Sequence, residues 1–378
     1  MNTMESFEHG LTNLTCRRIL EEPHSDPIIQ LVDERVHNGI YRYVATISAS
    51  QVNIYDNENK NTGIGFFAHY EVEKTPYFKG GNCTFGCWLV PSDLYPEDSL
   101  LAVGTSNGEI FILSCNECTI VSILTNPSGL PVTSLSVSTK YPNQLMATSA
   151  DGSLQLWDLS TKQIITSIDD ANARYVCWED EDALVLRNSG SLVFFGYSQN
   201  QLNPIDAAIS NSIGNSRITG LLALPFHREW VVLTTQLIIR IAMTNPNVKQ
   251  FPSNHLPEVF SPFRCGVSAD SNCLFFSDHF RTHCIGIDGR DLGSLVDNYA
   301  AEIQMLKEPS AYKKAPVLAS VVDPKTRYAV MVEQNRVLRF NNIDPTSKYV
   351  VHVTYPHPVE DMFVFYENLN AEPLVYLH

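Results

Sequence analysis

The chain has 378 residues, of which 44% are apolar and 18% charged, with a net charge of −15 and a pI near 5.1. That composition provides a large core and excludes a disordered chain, and the scarcity of Lys and Arg argues against general nucleic-acid or anionic-membrane binding. MNTMESFEHGLTNLT lacks the basic and apolar regions of a secretory signal, and no apolar run approaches the roughly 18 residues that span a bilayer. Nine scattered cysteines fit reduced thiols in nucleus or cytosol.

Taken in order, residues 1–12 read as a flexible tail and TCRRIL as an isolated strand. PIIQLVDE, YVATIS and QVNIYDN follow as three strands ending at Tyr55-Asp56, and a long connection then runs to YFKGGN at Tyr77–Asn82. CTFGCWLV, SLLAVGTS and EIFILS form a second triplet. The clearest stretch is 132–168, where VTSLSV, LMATSA, LQLWDL and QIITSI alternate apolar and polar residues between the turn signals YPNQ, ADG and STK. Asp151-Gly152 turns the second run into the third, and Trp157-Asp158 closes the third. This is the layout of one WD-repeat propeller blade, whose four-stranded sheet cannot bury both faces alone.

Gly108, Gly152 and Gly190 each precede a third strand and recur 44 and 38 residues apart, near the 40–45-residue repeat of such blades. Further triplets follow: ARYVCWE, ALVLRNS and SLVFFGY; RITGLLAL, EWVVLTT and LIIRIAM; FRCGVSA, CLFFSDH and HCIGIDG; APVLASVVD, YAVMVEQ and RVLRFNN. KYVVHVTY, MFVFYE and PLVYLH complete the chain. The expectation is an all-β WD40 β-propeller of seven blades, one domain over 1–378, closed by TCRRIL pairing with the C-terminal segment. Leu292, Leu295, Val296, Tyr299, Ile303 and Leu306 have helical spacing. They predict a short helical insertion over 292–306, either packed on the surface or offered to a partner.

Chemistry-bearing motifs are sparse. GxSxG, GxxxxGK[ST] and HExxH do not occur, and no catalytic residue, metal site or cofactor is expected. Cys115-x-x-Cys118 sits at a turn without a second CxxC, and Cys273, His279, His283 and Cys284 would need the loop between two strands to fold back before they met at a metal. Glu179-Asp180-Glu181-Asp182 reads as a solvated acidic turn rather than a general acid and base. His352 and His357 flank a Pro-rich turn with no nucleophile nearby.

LTCRRILEEPHSDPIIQL, YVATISASQVNIYD, CTFGCW, SLLAVGTSNGEIFIL and PVTSLSVSTKYPNQLMATSADGSLQLWDLST occur in the order and spacing of the EED/ESC proteins. Those are the WD-repeat subunits of Polycomb repressive complex 2. The pattern Cys16, Leu20, Glu22, His24 and Pro27 is part of the resemblance, which covers residues 14–161. It implies a scaffold with two working faces, one for a SET-domain histone methyltransferase and one with an aromatic cage for trimethyl-lysine of a histone tail, held by cation–π attraction. At the cage-equivalent positions this chain has Asp33, Thr84, and Thr219 with Gly220, none aromatic. Phe85 and Trp88 are neighbours, but strand alternation points Trp88 and Gly86 to one face and Phe85 to the other. Asp151, Gly152, Trp157 and Asp158 are read as residues stabilising the blade.

The resemblance therefore implies a non-catalytic chromatin scaffold in the nucleus, with cytoplasm also compatible. It supports the methyltransferase subunit and transcriptional repression, with the cage lost or altered. Other complex subunits and histone tails are the expected partners, with no sequence-specific nucleic acid and no membrane. The alternative is a WD-repeat scaffold of another assembly: nucleoporin-type, ubiquitin-ligase adaptor or trafficking complex.

Overall fold

Alternating apolar residues between tight turns favour strands that reverse at once, and the computed structural model contains 31 of them and no α-helix among the described residues. Described are 26, 28–34, 43–56, 65–72, 81–95, 97–205, 217–224, 227–243, 247–253, 256–258, 260, 265–267, 273–277 and 282–294, with the backbone of the strands within 15–21 and 317–377. The first strand is β1 (Thr15–Glu21). Blade 1 contains β2 (Ile28–Asp33), β3 (Tyr43–Ser48), β4 (Gln51–Asp56) and β5 (Gly65–Glu71). Blade 2 contains β6 (Cys83–Trp88), β7 (Leu100–Thr105), β8 (Glu109–Ser114) and β9 (Thr119–Thr125). Blade 3 contains β10 (Val132–Ser136), β11 (Gln144–Ser149), β12 (Leu154–Asp158) and β13 (Gln163–Ile168). Blade 4 contains β14 (Ala173–Glu179), β15 (Asp182–Arg187), β16 (Leu192–Ser198) and β17 (Gln201–Ile205). Blade 5 contains β18 (Ile218–Leu224), β19 (Glu229–Thr234), β20 (Leu237–Ala242) and β21 (Val248–Pro252). Blade 6 contains β22 (Cys265–Val267), β23 (Cys273–Ser277), β24 (Thr282–Gly286) and β25 (Asp291–Ser294).

The last six strands are β26 (Val317–Asp323), β27 (Tyr328–Glu333), β28 (Val337–Asn342), β29 (Val350–Thr354), β30 (Met362–Tyr366) and β31 (Leu374–Leu377). Six four-stranded blades are therefore built, not the seven expected. The remaining strands form one seven-stranded sheet, ordered β26-β27-β28-β1-β29-β30-β31. The reason is β1: it pairs antiparallel with β28 and parallel with β29, so the sheet runs on through β1 into the β29–β31 meander instead of ending at a fourth strand. β26 packs against both β22 and β2, which closes the ring.

Two other expectations change. β5 lies inside the stretch read as a long connection and pairs with β4 along its length. Residues 292–294 belong to an extended edge strand, in which His283 faces Ser294 and Ile285 faces Asp291, so no helix starts there. Residues 295–306 and the 1–12 tail lie outside the described residues.

The turn into β12 illustrates the local code. Gly152 has φ +87°, a region costing an L-residue about 1–2 kcal/mol, and its amide donates to the Ser149 carbonyl at 2.9 Å. Gly108 and Gly190 repeat this geometry before β8 and β16. The core lies between blades, in layers where two sheets face each other. Tyr43 and Ile47 of blade 1 meet Trp88 and Leu101 of blade 2, and Leu100 and Ala102 of blade 2 meet Leu145 and Trp157 of blade 3. Met146 of blade 3 meets Trp178 of blade 4, and Phe194 of blade 4 meets Trp230 of blade 5.

Candidate functional site

The first strands of the six blades line a central cavity of about 280 Å³. Each strand begins at one mouth of the channel and ends at the other. Near the first mouth every described blade but the sixth makes the same departure from ladder register. The shift falls between Ile28 and Gln30, Cys83 and Phe85, Val132 and Ser134, Ala173 and Tyr175, and Ile218 and Gly220. A bulge leaves one residue without a cross-strand partner, so Ile29, Thr84, Thr133, Arg174 and Thr219 form a tier around this mouth.

The tier holds three threonines, an isoleucine and an arginine where the resemblance implies aromatic rings. The hydroxyls of Thr84 and Thr219 are buried with no hydrogen-bond partner among the described residues, and Thr219 is 0% exposed. Thr133 Oγ1 lies 2.8 Å from Thr148 Oγ1. Arg174 is exposed, with its guanidinium 5.2 Å from the Phe260 ring centroid. One residue deeper, Phe85 and Tyr175 meet at 6.0 Å across the small Ser134, and Tyr175 meets Phe260 edge-on at 5.5 Å.

Thr84 and Thr219 thus share a tier, and Gly220 lies just below, where an added Cβ would stand 2.9 Å from Leu233 Cδ1. Asp33 does not join them. It ends β2 opposite Val44, four residues past the bulge, and lines the cavity toward the second mouth. The blade 1 residue in the Thr84 tier is Ile29. Gly86 and Trp88 face blade 1, since a Cβ on Gly86 would collide with Ile47 Cδ1 and Trp88 stacks on Tyr43 at 6.1 Å, whereas Phe85 faces the other way toward Tyr175.

Of the blade 3 residues, the two aspartates fix turns and Trp157 packs against the neighbouring blade. Asp151 Oδ1 accepts from the Ser153 amide at 2.9 Å. Burial pushes its pKa up, but hydrogen bonds from Ser153, Ser128 and Ser149 outweigh that and hold the carboxyl below its ordinary value. Asp158 Oδ1 accepts from the amides of Ser160 at 2.7 Å and Thr161 at 3.1 Å, fixing the turn into β13. Trp157 is buried against blade 2, and its indole N–H has no acceptor among the described residues, so it contributes by packing.

Residue spacing did not reveal a set of ties between neighbouring first strands. Gln30 spans to Gly86, with Nε2 donating to its carbonyl at 3.0 Å and Oε1 accepting from its amide at 2.8 Å. Between blades 3 and 4 the alternating serines of VTSLSVS do the same. The Val176 amide donates to Ser134 Oγ at 3.3 Å, the Trp178 amide to Ser136 Oγ at 2.8 Å, and Ser138 Oγ to the Asp180 carbonyl at 2.7 Å. Serine at every second position was the available signal, because one strand face then carries three hydroxyls.

The acidic run is only partly a solvated turn. Asp180 pairs with Arg228 at 2.6 Å and Glu181 contacts Lys140. Glu179, however, is buried at the second mouth and accepts from Thr139 Oγ1 at 2.6 Å. Burial raises its pKa more than that bond lowers it.

Among the described residues no three His, Cys, Asp or Glu side chains are placed to hold a metal. Cys284 lies on the sheet face of Gly286, whose partner is Cys273, while the adjacent His283 is on the opposite face, stacked on Phe276 at 5.0 Å. His279 and His357 lie outside the described residues, and His352 is placed in β29 by its backbone. No helix among the described residues is long and apolar enough to cross a membrane.

No family model matches the chain, and no curated protein matches it. The class is set by architecture: a β-propeller with a narrow, polar-rimmed channel, a fold that serves generally as a scaffold for protein interactions.

Proposed function

We propose that this chain is a non-catalytic WD-repeat scaffold of a Polycomb-type histone H3 lysine methyltransferase complex. In this reading it acts in the nucleus, supports a SET-domain catalytic subunit, and has an altered trimethyl-lysine position. The observation that carries the reading is the EED-like order of segments over residues 14–161, whose strands are β1, blades 1 and 2, and the first three strands of blade 3. The alteration is supported by the tier of Ile29, Thr84, Thr133, Arg174 and Thr219, which presents no aromatic face to a quaternary ammonium.

Purification of the tagged chain from nuclear extract, with identification of what accompanies it, tests the scaffold role. A SET-domain methyltransferase is expected. Nuclear-pore, ubiquitin-ligase or coat subunits in its place would establish the alternative assembly. Titration with histone H3 peptides tests the altered position: equal affinity for trimethylated and unmodified forms is expected, and clear preference for the trimethylated peptide overturns it.

A further inference from the structure

The turn joining β8 to β9 holds two thiols in four residues, Cys115-Asn116-Glu117-Cys118, between the paired Ser114 and Thr119. A four-residue turn brings its first and last Cα within about 7 Å, and a disulfide needs roughly 4.4–6.8 Å. The side chains do not simply diverge. Cys118 has φ +50°, and its Sγ folds back over the turn to lie 3.3 Å from the Cys115 carbonyl oxygen. Both thiols are near enough to the Tyr70 hydroxyl to add to the burial that pushes its pKa up. That hydroxyl donates to the Ser114 carbonyl at 2.7 Å, at the foot of the turn.

The surroundings hold this arrangement. The Cys115 amide donates to the Ser99 carbonyl at 3.0 Å, the Asn116 amide to Asp98 Oδ1 at 3.0 Å, and the Glu117 amide to Ser114 Oγ at 2.9 Å. The equivalent turn of blade 3 shows what is unusual. There Leu159 takes the inward place and Lys162, at φ +60°, the outward one, with the Leu159 amide bonded to the Asn143 carbonyl as Cys115 is to Ser99. Blade 2 puts sulfur at both places. Cys115 is 0% exposed and Cys118 is exposed.

We propose that Cys115 and Cys118 are a reversible dithiol–disulfide pair, with Cys118 meeting the oxidant and Cys115 resolving it. With a peroxide, the Cys118 sulfur attacks one oxygen: an S–O bond forms, the O–O bond breaks, and the departing oxygen leaves as water with the thiol proton. The Cys115 sulfur then attacks the Cys118 sulfur. The S–S bond forms, the S–O bond breaks, and hydroxide leaves as water with the second thiol proton. Two thiols give up two electrons and one peroxide becomes two waters. The disulfide would stiffen a turn beside Glu97 and Asp98, on the face around the second mouth.

The test treats the full-length reduced protein with one equivalent of hydrogen peroxide, alkylates it under denaturing conditions and maps the peptides by mass. The peptide holding both cysteines is expected to become lighter by two hydrogens and to resist alkylation, and dithiothreitol is expected to restore two alkylatable thiols. In Cys118→Ser, Cys115 is expected to remain an unoxidised thiol under the same treatment. In Cys115→Ser, Cys118 is expected to stop at sulfenic acid, trapped by dimedone. Sulfenic or sulfinic acid on Cys118 of the unmutated protein, with Cys115 still alkylatable, would overturn the proposal. So would oxidation of Cys115 in Cys118→Ser at the unmutated rate.

Discussion

Glu179 is the buried carboxylate with the clearest consequence, because burial raises its pKa above the ordinary 4.5 despite the bond from Thr139. A raised folded-state pKa means that the folded chain holds this proton more tightly than the unfolded chain. The resulting stabilisation is complete below the unfolded value and is lost as pH rises through the folded one. Asp180, Glu181, Asp182, Lys140 and Arg228 share the neighbourhood, so the effect must be isolated by substitution. Glu179→Gln keeps an acceptor for Thr139 and removes the titration. Urea unfolding of both proteins between about pH 4 and pH 7 is expected to show the variant gaining on the unmutated protein as pH rises. A gap independent of pH would show that ionisation of Glu179 costs nothing. Asp33 marks the limit of reading single residues. Its distance from Thr84 follows from where the bulge falls, and an extra residue in a strand has no signature in residue type.

Among elements, the first strands have a particular difficulty. Each has a ladder partner on one side only, and its other backbone edge faces the channel, where unpaired amides are costly when buried. The serines at 134, 136 and 138 meet this need for β14, and Gln30 meets it for β6. Replacing all three serines with Ala leaves the Val176 and Trp178 amides without these acceptors. Each loss costs about 1–3 kcal/mol, less where neighbouring sites share the strain. A fall in the urea midpoint well beyond that of Ser189→Ala, an exposed turn hydroxyl bonded to Ser191, is the expected result. An equal effect would place the ladder's weight in solvent. Most strands were legible from alternation and turn residues, since both are properties of the segment itself. The fourth strands of blades 1, 2, 4 and 5 and the extended course of Leu292 were not. β5 is fixed by pairing with β4, and Leu292 by pairing of β25 with β24, and neither partner is visible within its own segment.

At the scale of the whole molecule, the ring is closed by the two ends of the chain together. β1 sits between β28 and β29, with Thr15 opposite Asn342 and Glu21 opposite Val337 on one side, and Arg18 to Glu21 alongside Val351 to Thr354 on the other. No other strand of the seven-stranded sheet comes from the N-terminal half. Without β1 the sheet divides into β26–β28, which still packs on blades 1 and 6, and β29–β31, which has lost its only ladder to the ring. Two newly exposed strand edges would follow, each able to pair with another chain. Deleting residues 1–21 is therefore expected to lower the unfolding midpoint and to make the 343–378 segment the first site of limited proteolysis. A synthetic peptide spanning 13–22 should restore protection by adding back the missing strand, and a scrambled peptide should not. Protection of 343–378 in the truncated chain without peptide would show that the C-terminal strands reach the ring by another path. Restored protection would show that closure depends on the strand itself and not on its covalent connection to blade 1.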